Sequence, residues 1–287
     1  MKLNLVRNRP VRIAAAGVVL AAMAGAAAGP VKPVGLAAAP GVSTRLATEY
    51  QTVSSDFVRI EPGPDELSAL AQCPAGTLPI SGGPNISSDD VVLVSSFPNG
   101  NSWQVTLRND GSTDATFFSF AVCATEIPGY EVLSANATHV PPGGVGSSRR
   151  PCPAGKMAIG GGPFVSGASH KASVTSTSTF LRLEWAAEIR NDGDTSMDLV
   201  AYAVCVPDSP AYQIISTDWI NIAGSEIRYI HLLCPEGMIA ASAGVFVRDE
   251  RVVISNFSPI TEREWHLTLK NVTTTADQYH TSITCTT

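Results

Sequence analysis

The chain has 287 residues, of which 44% are hydrophobic and only 15% charged, with a formal net charge of −6. That content can bury a core, and with no heptad or long helical pattern it excludes a coiled coil. Residues 1–39 carry five basic and no acidic residues, leaving 14 basic against 25 acidic, a net of −11. This argues against phosphate backbones and anionic membranes as partners, and suits neutral glycans, basic proteins or cations.

The first 28 residues read as a signal peptide. Lys2, Arg7, Arg9 and Arg12 precede an apolar run from Ile13 to Ala22, and Ala-x-Ala patterns end at Ala26, Ala28 and Ala39, so cleavage falls at 28 or as late as 39. The apolar run is shorter than the roughly 20 residues a span needs, which disfavours an uncleaved anchor. No second such run follows, so a secreted chain without a membrane span is expected. Residues 29–48, rich in Ala, Pro, Gly and Val, read as a flexible linker.

Three tandem segments follow, at 50–129, 130–211 and 212–287. Each opens on a tyrosine in a strand-like run: Tyr50, Tyr130 and Tyr212. Each continues with Cys-Pro-x-Gly at Cys73, Cys152 and Cys234, then a glycine at Gly83, Gly162 and Gly244. Trp103, Trp185 and Trp265 come next, each followed by an asparagine (Asn109, Asn191, Asn271) and a second cysteine. The tryptophan-to-cysteine spacing is 20 in all three, which marks an internal repeat. After each tryptophan the chain alternates, as in Trp103, Val105 and Leu107 against Gln104, Thr106 and Arg108. Period two predicts a half-buried strand.

Asn109-Asp110-Gly111 and Asn191-Asp192-Gly193 predict positive-φ turns that fold the chain back into a hairpin. Asn271-Val272-Thr273 predicts a different loop in the third segment. Strands are also expected over 91–97, 173–180 and 252–257. The Gly-Gly pieces at 82–83 and 160–162 predict a bulge or a close backbone approach. The expectation is an all-β fold of about five strands per segment.

Six cysteines in an exported chain imply disulfides, and the repeat selects one of the fifteen pairings. These are Cys73–Cys123, Cys152–Cys205 and Cys234–Cys285. The linkers between segments are short, so the three are expected to pack as one body, with pseudo-threefold symmetry like a β-prism. Three beads in a row is the alternative.

Hydrolase, P-loop, dinucleotide and HExxH motifs are absent. The five histidines, His139, His170, His231, His266 and His280, fall at different places in the repeat and predict no metal site. Ser169-His170 is an adjacent pair that a strand would point to opposite faces. Acidic turns occur at Asp89-Asp90, Asp110/Asp114, Asp192/Asp194/Asp198 and Asp249-Glu250. Calcium on Asn191, Asp192 and Asp194 is weighed against solvated turn carboxylates, and the latter preferred. No cofactor is expected. The three repeated tryptophans are expected in the core. Trp219 has no tryptophan counterpart and is a candidate exposed aromatic. The loop before the repeated tryptophan varies in length, which makes Asn99, Asn101, Glu262 and Arg263 candidate binding residues.

The pattern Cys-Pro-x-Gly, Gly-Gly, Trp, Asn-Asp-Gly, Ala-Val-Cys resembles tandem modules in secreted actinobacterial proteins of unassigned function. Its architecture is also loosely similar to the β-prism of the vitelline membrane outer layer protein. Neither resemblance carries an activity. The function expected is a secreted, non-catalytic binding protein, lectin-like or envelope-binding, in which repetition supplies multivalency. The alternative is a structural or inhibitor-like protein that meets a protein surface. An enzyme ranks last.

Overall fold

The computed structural model describes residues 49–125, 127–167 and 171–287. The expected signal peptide and linker over 1–48, and Ser169-His170, lie outside them. The described residues are all β. The first segment holds β1 (Tyr50–Ser54), β2 (Val58–Ile60), β3 (Glu66–Gln72), β4 (Thr77–Ile86), β5 (Val91–Asn99), β6 (Ser102–Asn109) and β7 (Ala115–Thr125). The second holds β8 (Glu131–Ser134), β9 (Thr138–Val140), β10 (Val145–Pro151), β11 (Lys156–Gly167), β12 (Ala172–Phe180), β13 (Glu184–Asn191) and β14 (Met197–Pro207). The third holds β15 (Gln213–Ser216), β16 (Ile220–Ile222), β17 (Ile227–Leu233), β18 (Ile239–Val247), β19 (Val252–Thr261), β20 (Glu264–Asn271) and β21 (Asp277–Thr286). Among the described residues each segment therefore has seven strands rather than about five. Three-residue strands such as β2 are too short for their alternation to be read.

In the first segment β7 pairs antiparallel with β4 on one side and with β1 and β2 on the other. β6 pairs with β3 and β5 in a second, three-stranded layer. The same pairings recur around β14 and β13, and around β21 and β20. β6 and β7, expected to form a hairpin, thus sit in different layers, and Asn109–Ala115 carries the chain from one to the other. The disulfide holds these layers together, because Cys73 follows β3 and Cys123 lies in β7. Cys152–Cys205 and Cys234–Cys285 do the same, so the pairing is as expected.

The turn residues act differently from the sequence expectation. Neither Gly111 nor Gly193 has positive φ. The asparagine side chain holds the loop instead. Asn109 Oδ1 accepts from Gly111 N at 2.9 Å, while its Nδ2 donates to Thr113 O at 2.9 Å and Ile60 O at 3.2 Å. Asn191 and Asn271 make the equivalent bonds to residues two and four further on. The loop of the third segment therefore does not differ, although it has no Asp-Gly. The buried amide reproduces a turn with its own backbone-like groups, and no glycine is required.

Trp103, Trp185 and Trp265 are fully buried, as expected. Trp103 Nε1 donates to Ser96 Oγ and Trp185 Nε1 to Thr177 Oγ1, both at 2.9 Å, so their polar edges are satisfied in the core. The glycine-rich pieces are both bulge and close approach. Register shifts occur at Pro79/Ser81, Ala158/Gly160 and Ala240/Ser242. A Cβ on Gly82 would lie 2.4 Å from the Trp103 ring, and on Gly161 2.5 Å from that of Trp185.

The segments meet in rotation: β5 packs on β11, β12 on β18, and β19 on β4. A linear row would leave the first and third segments apart. At each meeting glycine permits backbone contact. A Cβ on Gly162 would lie 1.9 Å from Ser96 O, and on Gly83 1.9 Å from Phe257 O; on Gly244 it would lie 2.9 Å from Ser178 Cα. At β12 and β18 the approach becomes a ladder bridge, Thr177 to Val245, that joins two layers into a seven-stranded sheet.

Candidate functional site

The residues that lead into β5, β12 and β19, at Asp89–Asp90, Lys171–Ala172 and Asp249–Glu250, meet the three-stranded layers of the third, first and second segments respectively. One basic side chain ties each of them down. Arg108 Nη1 donates to Ala172 O at 2.8 Å, Arg190 Nη1 to Glu250 O at 3.4 Å, and Lys270 Nζ to Asp90 Oδ1 at 2.6 Å. These three residues occupy the same place in the repeat, two after the outward-facing Thr106, Glu188 and Thr268. The scaffold is shared and the linings are not.

At the first boundary, an open cleft of about 510 Å³ is lined by Gly63, Pro64, Arg108, Asp110, Lys171 and Asp192. Arg108 is clamped there by Asp110 at 2.6 Å. The second boundary is acidic. Glu188 is buried, Arg190 pairs with Asp192, and Glu250 sits at φ 53°. Burial, then the nearby Glu188, Asp249 and Asp277, push the Glu250 carboxyl above its usual range.

The third boundary gathers the most diverse chemistry. Its open cleft of about 490 Å³ runs between Ile86–Asp90 of the first segment and β17, β19 and β20. Alternation along β17 places Tyr229 and His231 on the outer face, and alternation along β20 places His266 and Thr268 beside them. The rings form a ladder. His231 and His266 stack at 4.9 Å and 19°, and Tyr229 and His266 at 6.3 Å and 25°. Tyr229 is 59% exposed, so ring surface faces the cleft.

Fixed polar contacts surround the ladder. The Tyr229 hydroxyl donates to Asp89 Oδ2, a bond that holds the phenol above its ordinary pKa. His231 Nδ1 is 2.8 Å from Glu264 Oε1, and Asn256 Nδ2 is 3.3 Å from His266 Nδ1. Ser255 Oγ donates to Asp89 O at 3.3 Å. Burial, and then His231, hold His266 below the usual imidazole range, so at neutral pH it is an uncharged ring. The cleft combines a flat aromatic floor with a carboxylate, an amide and hydroxyls on its walls.

The residues singled out in the sequence lie elsewhere. Asn99 is exposed and its Nδ2 donates to Gln104 Oε1 at 2.8 Å. Asn101 Nδ2 donates to Cys73 O, and Arg263 Nη2 to Cys234 O, so both pin the loop onto the disulfide strand. Glu262 is exposed. These loops belong to different segments, and none of their residues lines the cleft at the third boundary. Trp219 is 45% exposed, with its ring edge-on to His280 at 4.9 Å and Arg248 at 5.7 Å from its centroid. It forms a small cluster with Phe246 on the outer face near β18 and β21.

The second segment's counterpart of that variable loop differs from the other two. Leu181 and Arg182 have φ of 49° and 63°, and Phe180, Leu181 and Leu183 are 42%, 74% and 59% exposed. Arg149 lies 4.7 Å over the Phe180 ring. Among the described residues no three of His, Cys, Asp and Glu gather at metal-ligand spacing. Asp192, weighed for calcium, is paired with Arg190.

Sequence reasoning noted Asp89-Asp90 as an acidic turn but missed Tyr229, His231, His266 and Asn256. A signal existed. The register makes Tyr229, His231 and His266 the counterparts of Ser68, Leu70 and Gln104, and of Ser147, Arg149 and Ala186. Aromatic residues at outward positions of one segment alone are not explained by the shared core. No family model and no curated protein matches the chain.

Proposed function

We propose that this chain is a secreted, non-catalytic, lectin-like protein that binds a sugar in the cleft between the first and third segments. The single observation that carries the reading is the ring pair Tyr229–His266, backed by His231 stacked on His266, with Asp89, Asn256 and Thr268 beside the pair in one cleft of about 490 Å³. A pyranose presents an apolar C–H face to such a floor and hydroxyls to such walls, and the volume falls in the range of small-ligand sites. The basic-then-apolar N-terminal stretch and three disulfides support export to an oxidising compartment. The round of contacts between segments supports a pseudo-threefold, prism-like body in which one boundary has been specialised.

A glycan array probed with the mature, oxidised chain tests this reading. Saturable binding that Tyr229→Ala weakens at least tenfold is expected. Absence of binding to any sugar, or binding indifferent to Tyr229, would overturn it. Hydrolysis of the bound sugar would replace the non-catalytic reading with a catalytic one.

A second reading, a protein-binding extracellular module, has its own observation: the strained apolar tip Phe180–Leu183. Two consecutive non-glycine residues in the left-handed region and three exposed apolar side chains carry a cost that folding alone does not require. The counterpart turn in the first segment uses Gly100, at φ 59°, for the same task. A site on this tip leaves the cleft untouched, so the two readings are separable by mutation.

A further inference from the structure

Resting on the sugar-binding reading above, we infer that the cleft selects hexosamine rings bearing a free amine, with Asp89 as the group that receives the ammonium. Among the described residues, few charged or titratable groups line the cleft or border it. From the loop come Asp89 and Asp90; from β17, His231; from β20, Glu264, His266 and Lys270. Lys270 is paired with Asp90 at 2.6 Å, and Glu264 Oε1 lies 2.8 Å from His231 Nδ1. His266 is neutral and its Nδ1 faces the Asn256 amide. Of the two carboxylates that line the cleft, Asp90 is paired with Lys270, whereas Asp89 has the neutral Tyr229 hydroxyl on Oδ2 and no cation paired with it among the described residues. One uncompensated negative charge therefore stands at the end of the aromatic floor.

An ammonium placed there gains a charge-assisted hydrogen bond to the carboxylate and lies beside the Tyr229 ring, whose face also attracts cations. An N-acetyl group at the same position offers a neutral amide and loses both interactions. A uronic acid would bring a second carboxylate against Asp89. The chain's overall negative charge adds a weaker bias in the same direction. One charge-assisted bond at a partly exposed site corresponds to a discrimination of about tenfold.

Isothermal titration of the mature chain with three probes tests this: β-1,4-linked glucosamine hexamer, the N-acetylglucosamine hexamer and a polyuronate hexamer, at a pH where the amine is charged. The amine form is expected to bind about tenfold tighter than the N-acetyl form, with the uronate weakest. Asp89→Asn, which keeps the side chain's shape, should bring the amine-to-acetyl ratio close to one. If that variant fails to fold, salt supplies the second arm: raising NaCl tenfold should compress the ratio in the unmodified chain. Equal affinities in the unmodified chain, or a preference that survives both Asp89→Asn and salt, would overturn the inference. Binding of the N-acetyl form alone would refute the amine preference yet leave the sugar reading standing. No binding by any of the three would overturn the amine inference, and the glycan array decides separately whether the sugar reading stands.

Discussion

Gly83→Ala tests how the segments are joined. The new methyl would start 1.9 Å from the carbonyl oxygen of Phe257, on β19 of the third segment. Comfortable contact begins near 3.4 Å, and the obstacle is backbone that is itself held in a ladder. β4 and β19 would have to separate by about 1.5 Å along a buried seam that includes Phe257. Separation on that scale forfeits much of the dispersion contact of every side chain crossing the seam, and overpacking of this kind costs about 3 kcal/mol. For a domain of this size that corresponds to a fall of roughly 6–12 °C in melting temperature. Gly162→Ala, which meets Ser96 O at the same 1.9 Å, should behave alike. Gly76→Ala is the control. Its φ of 83° strains an alanine but nothing lies within 4 Å, so about 1 kcal/mol is expected. The assay is thermal unfolding of the oxidised protein followed by circular dichroism. If Gly83→Ala and Gly162→Ala both melt within about 2 °C of the unmodified chain, the close approach between segments is wrong.

Replacing Asn271 by alanine should destabilise by about 2–3 kcal/mol in urea unfolding, because the carbonyl of Ile222 and the loop groups at Thr273 and Thr275 lose their partner. Asn109→Ala should cost a similar amount despite its different loop sequence. Removing Cys73 and Cys123 together opens a loop of 50 residues and should cost about 4 kcal/mol by the chain-entropy account, read as a lower urea midpoint. Leu181→Asn should raise stability by about 1 kcal/mol, since asparagine tolerates φ of 49° and sheds an exposed apolar side chain; a loss of stability would show that the tip is not strained. His266 binds its proton less readily folded than unfolded, so stability should fall as pH drops below the ordinary histidine value of 6.5 and level off beneath the folded value. His266→Gln should flatten that part of the pH–stability curve.

Much of the framework was legible because it is repeated. Trp103, Trp185 and Trp265, with their alternating partners and fixed distance to a cysteine, announce a buried strand and a disulfide three times over. The hairpin expected at Asn-Asp-Gly failed for a physical reason. The motif's first residue is buried and uses its own amide to shape the loop, so the glycine that suggested a tight turn is incidental. The loop before the tryptophan drew attention because its length varies. Its polar side chains Asn101 and Arg263 proved to be fastened to cysteine carbonyls. The cleft was harder to see, because it joins Asp89 to Tyr229 across 140 residues of chain. No local pattern reports that contact, which depends on the third segment closing back onto the first. What the sequence did carry was an asymmetry: two histidines and a tyrosine at outward positions where the other segments have serine, leucine, arginine, glutamine or alanine.

The central claim is that ligand enters the cleft between the first and third segments. Hydrogen exchange read by mass spectrometry locates it directly, comparing the free chain with the chain saturated by the tightest sugar from the array. The account predicts slowed exchange confined to residues 86–90, 227–231 and 264–268. Slowed exchange at 180–183 or around Trp219 instead, with the cleft unchanged, would contradict it.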